Sequence, residues 1–226
     1  MSTPADSHLT FFCQSGSCSL APHIALEEAG ATFSPILVHF SSSEQRSPAY
    51  LKINPKGRVP ALAVGDWVLT ENPAILQFIA QSFPAAKLWP TDLLAQAKCL
   101  EWMAWLSSGV HVTYAHVRRT ERYATSEASI VDVRAKGAIS TREIWGDVET
   151  RMAALTGPWI AGDQFTVVDG YVFVFWMWGN GKYLNYDMAN EFPAWTAHAR
   201  RLSARPAVQR VLAREELDAL ASALRA

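Results

Sequence analysis

Cysteine is scarce in this chain: three among 226 residues, Cys13, Cys18 and Cys99, an odd number at no zinc-like spacing. That argues against a disulfide framework and points to a cytoplasmic protein with one special thiol. Net charge is nearly absent too. The 20 basic and 21 acidic side chains leave −1, so nothing attracts nucleic acid or an anionic membrane over long range. No apolar run is long enough to cross a bilayer. The most apolar stretch, Val167 to Trp178, is interrupted by Asp169 and Gly170 and reads as a buried helix. Residues 1–8 are polar, without a basic start or an apolar segment, so they read as a loose tail and not as a signal peptide. His111 and His116 stand five apart and not four, which leaves no helical metal pair, and no metal is expected. Repeats and low-complexity tracts are missing as well. What the chain does have is hydrophobic mass: 50% of its residues, enough to exclude intrinsic disorder and to demand a sizeable core.

The order of elements follows from periodicity and punctuation. Leu9 to Cys13 is a short apolar run ending at Ser15-Gly16, a strand and its turn. From Ser19 to Ala29 the apolar residues fall at helical spacing and stop at Gly30. Phe33 to Phe40 is strand-like, and Pro48 to Ile53 a short helix closed by Asn54-Pro55. Val59 to Val64 and Trp67 to Leu69 flank Gly65-Asp66 as a hairpin, and Glu71 to Phe83 returns to helical spacing. Such an alternation builds one mixed sheet with helices on its faces. Residues 84–92 hold two prolines and no period, which makes them a linker between a first domain at 1–83 and a second at 93–226. The second domain reads as all-α, with helical patterns over 93–117, 126–155, 166–178, 192–203 and 207–212.

Three segments carry chemistry. In Ser15-Gly16-Ser17-Cys18-Ser19-Leu20 a strand hands over to a helix, placing free N–H groups and a positive dipole end near Ser17 and Cys18. A thiolate is stabilised in such a field, so Cys18 is expected to fall below the free-cysteine pKa of about 8.5. An inert buried cysteine beside two capping serines fits the same residues. In Asn54-Pro55-Lys56-Gly57-Arg58-Val59-Pro60-Ala61-Leu62, Pro60 is expected on an edge strand because it cannot donate to a ladder. With a cis Val59–Pro60 bond, the Val59 backbone would be free to pair with an extended peptide, and Lys56 would attract a carboxylate. Read alone, this is equally a turn. In Leu69-Thr70-Glu71-Asn72-Pro73, polar residues open a helix, either as caps or as a seat for a ligand carboxylate and ammonium. On the longest helical pattern Ala104, Ser107, Ser108, His111 and Ala115 share one face, the wall of a cleft or a close helix contact.

Together these segments resemble the glutathione transferase superfamily, and most closely its bacterial beta class. Ser15 to His23 resembles that class's catalytic cysteine motif, Asn54 to Leu62 the cis-proline segment, and Leu69 to Asn72 the turn that binds the γ-glutamyl group. Gly162-Asp163-Gln164-Phe165-Thr166-Val167-Val168-Asp169 is similar to the capping-box segment, with Thr166 as cap and Asp169 returning the bond. The resemblance implies a thioredoxin-like amino-terminal domain, an all-α carboxy-terminal domain and a homodimer. It implies an enzyme that activates the glutathione thiol against a small apolar electrophile or a disulfide. The alternative it leaves is a non-catalytic scaffold of the same fold that binds a protein. By the same resemblance Cys18 lies beside the glutathione sulfur and His111 reaches in from the second domain, while the turn itself offers a Ser17 or Ser19 hydroxyl as donor to a ligand thiolate. Val59 and Pro60 would hold the cysteinyl unit, Glu71 and Asn72 the γ-glutamyl end, and Lys56 a carboxylate. The chain departs from the class in having Val112 where lysine often follows the histidine, and Asn72 where serine or glycine is usual.

Overall fold

The computed structural model describes residues 8–217 together with Leu220 and Leu224; apart from His8, the expected amino-terminal tail lies outside the described residues. Strands β1 (Leu9–Cys13), β2 (Phe33–Leu37), β3 (Ala61–Val64) and β4 (Trp67–Thr70) form one sheet in the order β2-β1-β3-β4. β1 runs parallel to β2 and antiparallel to β3, and β3 and β4 are the hairpin expected around Gly65, whose φ is +58°. The helices α1 (Leu20–Glu28), α2 (Pro48–Ile53) and α3 (Asn72–Ser82) complete this thioredoxin-like half.

Two expectations fail here for identifiable reasons. β3 is an internal strand, not an edge. Pro60 is tolerated because the ladder begins one residue later, with Ala61 opposite Phe12 and Thr70, so its missing N–H costs no strand bond. β2 stops at Leu37 instead of running to Phe40, where the chain turns into a 3₁₀ segment.

The remainder is helical: α4 (Leu93–Trp105), α5 (His111–Arg118), α6 (Glu127–Ala153), α7 (Val167–Asn180), α8 (Met188–Glu191), α9 (Pro193–Ser203) and α10 (Pro206–Arg214). The helix expected to run unbroken over 93–117 contains a π segment, Leu106–Val110, between α4 and α5. Such one-residue wideners redirect the side chains that follow them, here beginning with His111. α7 opens with the foreseen return bond: the Asp169 carboxylate accepts from the Thr166 N–H at 2.8 Å and from its hydroxyl at 3.0 Å. Its other oxygen accepts from the Ile160 N–H and bonds the His198 ring, so the buried charge is fully engaged. The main apolar core runs from Phe11 and Ile24 through α7 to Trp195 and Val211, so α1 lies with one side on the sheet and another on α7 and α10, and a smaller cluster gathers Val38, Tyr50 and Val59. The segment 84–92, expected as a linker, is held in place, with Leu88 buried and its carbonyl accepting from the Val167 N–H. No described helix is long and apolar enough to cross a membrane.

Candidate active site

The turn between β1 and α1 is tied down from several directions. The Ser19 side chain, fully buried, bonds the Gln14 backbone at 3.1 Å through both its donor and acceptor roles. The Trp178 indole of α7 donates to the Gly16 carbonyl at 3.0 Å. From the far end of the chain the buried Glu215 accepts from the Gly16 N–H at 2.9 Å and from the Ser15 hydroxyl through its carbonyl at 2.6 Å. Its carboxylate also bonds the His23 ring at 2.7 Å.

Cys18 follows this turn, two residues before the first residue of α1, and its thiol donates to the Val59 carbonyl at 3.4 Å. The Val59–Pro60 bond is cis, and no described protein group accepts from the Val59 N–H. Lys56 reaches the Thr70 hydroxyl at 2.9 Å and the Glu71 carboxylate at 2.6 Å. Glu71 has φ +76° at the cap of α3, and Asn72, the first residue of that helix, is buried with its side-chain oxygen unpartnered.

Two cavities meet at Cys18. The smaller, of about 130 Å³, is lined by Cys18, Lys56, Val59, Pro60, Glu71, Asn72 and His111. Seven of the eight residues singled out in the sequence therefore share one wall. Ser17, the eighth, lines the larger cavity of about 740 Å³, and its hydroxyl is 2.8 Å from that of Ser19. Of the small-residue face on α4 and α5, Ser107, His111 and Ala115 reach the small cavity; Ala104 and Ser108 do not. The Ser107 and Ser108 hydroxyls instead both donate to the Ala104 carbonyl.

The electrostatics correct one expectation. Burial pushes the Cys18 thiol up to about 11, the nearby Asn72 amide and its own N–H opposing this only in part. The helix-end donors that were to lower it are already engaged: the Ser19 N–H with the Ser17 hydroxyl, and the Leu20 N–H with the Ser17 carbonyl. Cys18 therefore rests as a neutral thiol. His111 is likewise held neutral, its pKa lowered to about 4 first by burial and then by Arg122 and Arg58. Its ring packs against Phe175 and Trp178.

Sequence reasoning missed Tyr171, Arg58 and Arg122, which line the small cavity. Tyr171 follows Asp169 by two residues on a helix read as core, and nothing local marks it. It is buried almost completely, and its hydroxyl is pushed well above the usual tyrosine range by burial, then by Cys18, with the Asn72 amide opposing. Among the described residues no group of three His, Cys, Asp or Glu side chains is placed to hold a metal ion.

Comparison with known proteins gives consistent matches. The family model for the glutathione S-transferase N-terminal domain matches residues 8–81. Glutathione S-transferase GstA of Escherichia coli O157:H7 is 31% identical over 212 residues, covering 92% of this chain and 100% of its own. Among solved structures, a glutathione transferase homologue from Sulfitobacter with bound glutathione is 37% identical with a TM-score of 0.84, covering 92% of this chain and 98% of that one. The bacterial beta class glutathione S-transferase of Sphingomonas chungbukensis is 31% identical with a TM-score of 0.76, covering 92% and 99%.

Proposed function

Because the chain belongs to the glutathione S-transferase family, we propose that the small cavity binds glutathione as co-substrate and that the cleft beyond it receives a small electrophile with an apolar body. The observation that carries this reading is the convergence of Cys18, Lys56, Val59, Pro60, Glu71, Asn72 and His111 on that cavity, with Cys18 where it opens into the larger one.

Each group then has a task its chemistry suits. The Val59 backbone pairs with the cysteinyl amide as an added extended strand would. Glu71 accepts from the γ-glutamyl ammonium. Asn72 and the first turn of α3 donate to the neighbouring carboxylate, and the buried Asn72 oxygen accepts from the ammonium. Lys56, already on Glu71, adds positive charge at that end. Cys18, neutral at rest, lies beside the glutathione sulfur as an S–H donor, and Ser17 offers a hydroxyl. The cationic field of Arg58 and Arg122 favours the glutathione thiolate. Neutral His111 supplies a hydrogen bond and no charge.

The thiolate attacks an electrophilic carbon, a C–S bond forms, and the leaving group departs with its electron pair. Attack on a disulfide sulfur expels the other sulfur as thiolate and makes disulfide reduction a side activity. The beta-class assignment, a cytoplasmic setting, a role in detoxification and domain limits at 83 and 93 complete the reading. So does a homodimer: Leu93 and Leu94 on α4 are 75% and 79% exposed, an apolar surface that a second copy would cover. Light scattering would then report twice the chain mass; a monomer at working concentration contradicts the dimer.

The decisive test is Cys18→Ala. Loss of most thioether formation and disulfide reduction, with retention on immobilised glutathione, is the expected result. Both activities persisting unchanged would remove Cys18 from the reaction. The alternative of a non-catalytic binding scaffold is favoured by one observation, the raised Cys18 pKa. No retention on glutathione and no thermal shift with it would favour that alternative.

A further inference from the structure

The chain as a whole is charge-balanced, but its large cleft is not. Arg46, Arg58, Arg118, Arg119, Arg122 and Lys182 line it, against one carboxylate, Glu121. Of the thirteen other described basic side chains seven are answered, among them Arg205 by Glu28, Arg210 and Arg214 by Glu27, Arg151 by Glu101 and Lys56 by Glu71, and the unanswered ones do not line this cleft. Among the described residues none of the six cleft cations forms an ion pair. Several unpaired like charges gathered around a concave, low-dielectric wall repel one another and focus a positive potential into the cleft. Arg122 registers this, its pKa lowered by burial and by the nearby Arg58 and Arg119.

Glutathione does not account for this charge. Only Arg58 and Arg122 are shared with the small cavity; Arg46, Arg118, Arg119 and Lys182 line the large cleft alone. A glycyl carboxylate reaching out of the small cavity would bring a single negative charge to these four. The same wall offers a flat apolar seat, Tyr114 stacked on Trp178 with ring centroids 4.5 Å apart and planes at 20°. Trp178 is locked there by its bond to the Gly16 carbonyl. Beyond this seat the Arg118 guanidinium lies 4.2 Å and the Lys182 ammonium 5.3 Å from the Tyr183 ring centroid. Apolar face and cationic rim thus adjoin.

We propose that the second substrate is an amphipathic organic anion, its aromatic body on the Tyr114–Trp178 seat and its carboxylate or sulfonate among Arg118, Arg119 and Lys182. This rests on the reading of the small cavity as the glutathione site, and it adds an anionic group to the apolar electrophile. The reaction stays balanced: the glutathione sulfur bonds the electrophilic ring carbon, the carbon–halogen bond breaks, halide leaves with the electron pair, and the thiol proton passes to water.

The test uses the full chain saturated with glutathione and two unreactive quenchers of tryptophan fluorescence, dinitrobenzoate and its neutral isostere dinitrobenzamide. The anion should bind about tenfold more tightly at low salt, the equivalent of one well-formed charged contact. High salt should erase that preference. In the double variant Arg118→Gln/Lys182→Gln it should fall to about threefold or less, on the same scale. Equal affinities at low salt, or a preference untouched in a double variant that unfolds at the wild-type midpoint, would overturn the proposal. Turnover separates it from the reading beneath it. Tight anion binding with no thioether from chlorodinitrobenzoate or from the neutral chlorodinitrobenzamide sinks the transferase reading, and with it the anion's role as substrate. Thioether formation at equal rates from the benzoate and the benzamide sinks the anion preference alone.

Discussion

A thiol and an imidazole that the sequence marks as reactive both rest uncharged, and burial is the main cause in each. For His111 this has a consequence for stability. Its pKa is lowered in the fold to about 4 from the ordinary 6.5, so the unfolded chain takes up a proton first as pH falls. The stability linked to the neutral ring is complete above about 6.5 and is lost progressively down to about 4. Urea midpoints measured across that window should drop more steeply for the wild type than for His111→Gln, and parallel curves would contradict this account. Turn chemistry made Cys18 legible as a site candidate, and the family resemblance did so for His111. Their protonation was not, because it depends on burial and on groups distant in sequence: Asn72 at Cys18, and Arg122 and Arg58 at His111.

Among the elements, the loop from Asn54 to Pro60 and the start of α7 carry opposite demands on glycine. Gly57 has φ +59°, and a Cβ there would lie 2.8 Å from the Gln45 carbonyl oxygen. Gly57→Ala should therefore cost about 2 kcal/mol, combining left-handed strain with a clash against main chain. Because Gly57 lies two residues before Val59, weaker retention on immobilised glutathione should accompany the loss. Gly170 sits in a helix, where glycine costs about 1 kcal/mol against alanine. A Cβ there would meet the Ile24 methyl at 3.5 Å and the Ala21 carbonyl at 3.8 Å, ordinary contact distances. Gly170→Ala should raise stability by up to about 1 kcal/mol in chemical denaturation, and a loss would show that α1 and α7 pack too closely to admit a methyl. Strand and helix positions were readable because alternation and helical spacing are local. The π segment at Leu106–Val110 was not, since it leaves the apolar period on both sides intact.

For the molecule as a whole, Glu215 near the carboxy-terminal end ties down the turn between β1 and α1. Glu215, nearly 200 residues from Gly16 in sequence, accepts from its N–H and from the His23 ring inside the core. Removing that carboxylate strands the buried His23 ring and the half-buried Gly16 N–H. Glu215→Ala should lower stability by about 3 kcal/mol and weaken glutathione binding by loosening Ser15 to Cys18. Unchanged glutathione affinity in a folded variant would show that the turn holds its shape unaided. By itself the sequence determined the sheet-plus-helix half, the helical half, the turn that carries Cys18, the proline entering β3 and the Thr166–Asp169 cap. Each is written in neighbouring residues through turn chemistry and hydrophobic period. Only tertiary structure decided that β3 is internal, that Cys18 and His111 rest neutral, that Glu215 closes on the turn, and that a balanced chain concentrates unpaired cations in one cleft. Burial, ion pairing and local potential are properties of what lies nearby in space, and a charge count along the chain carries no record of that.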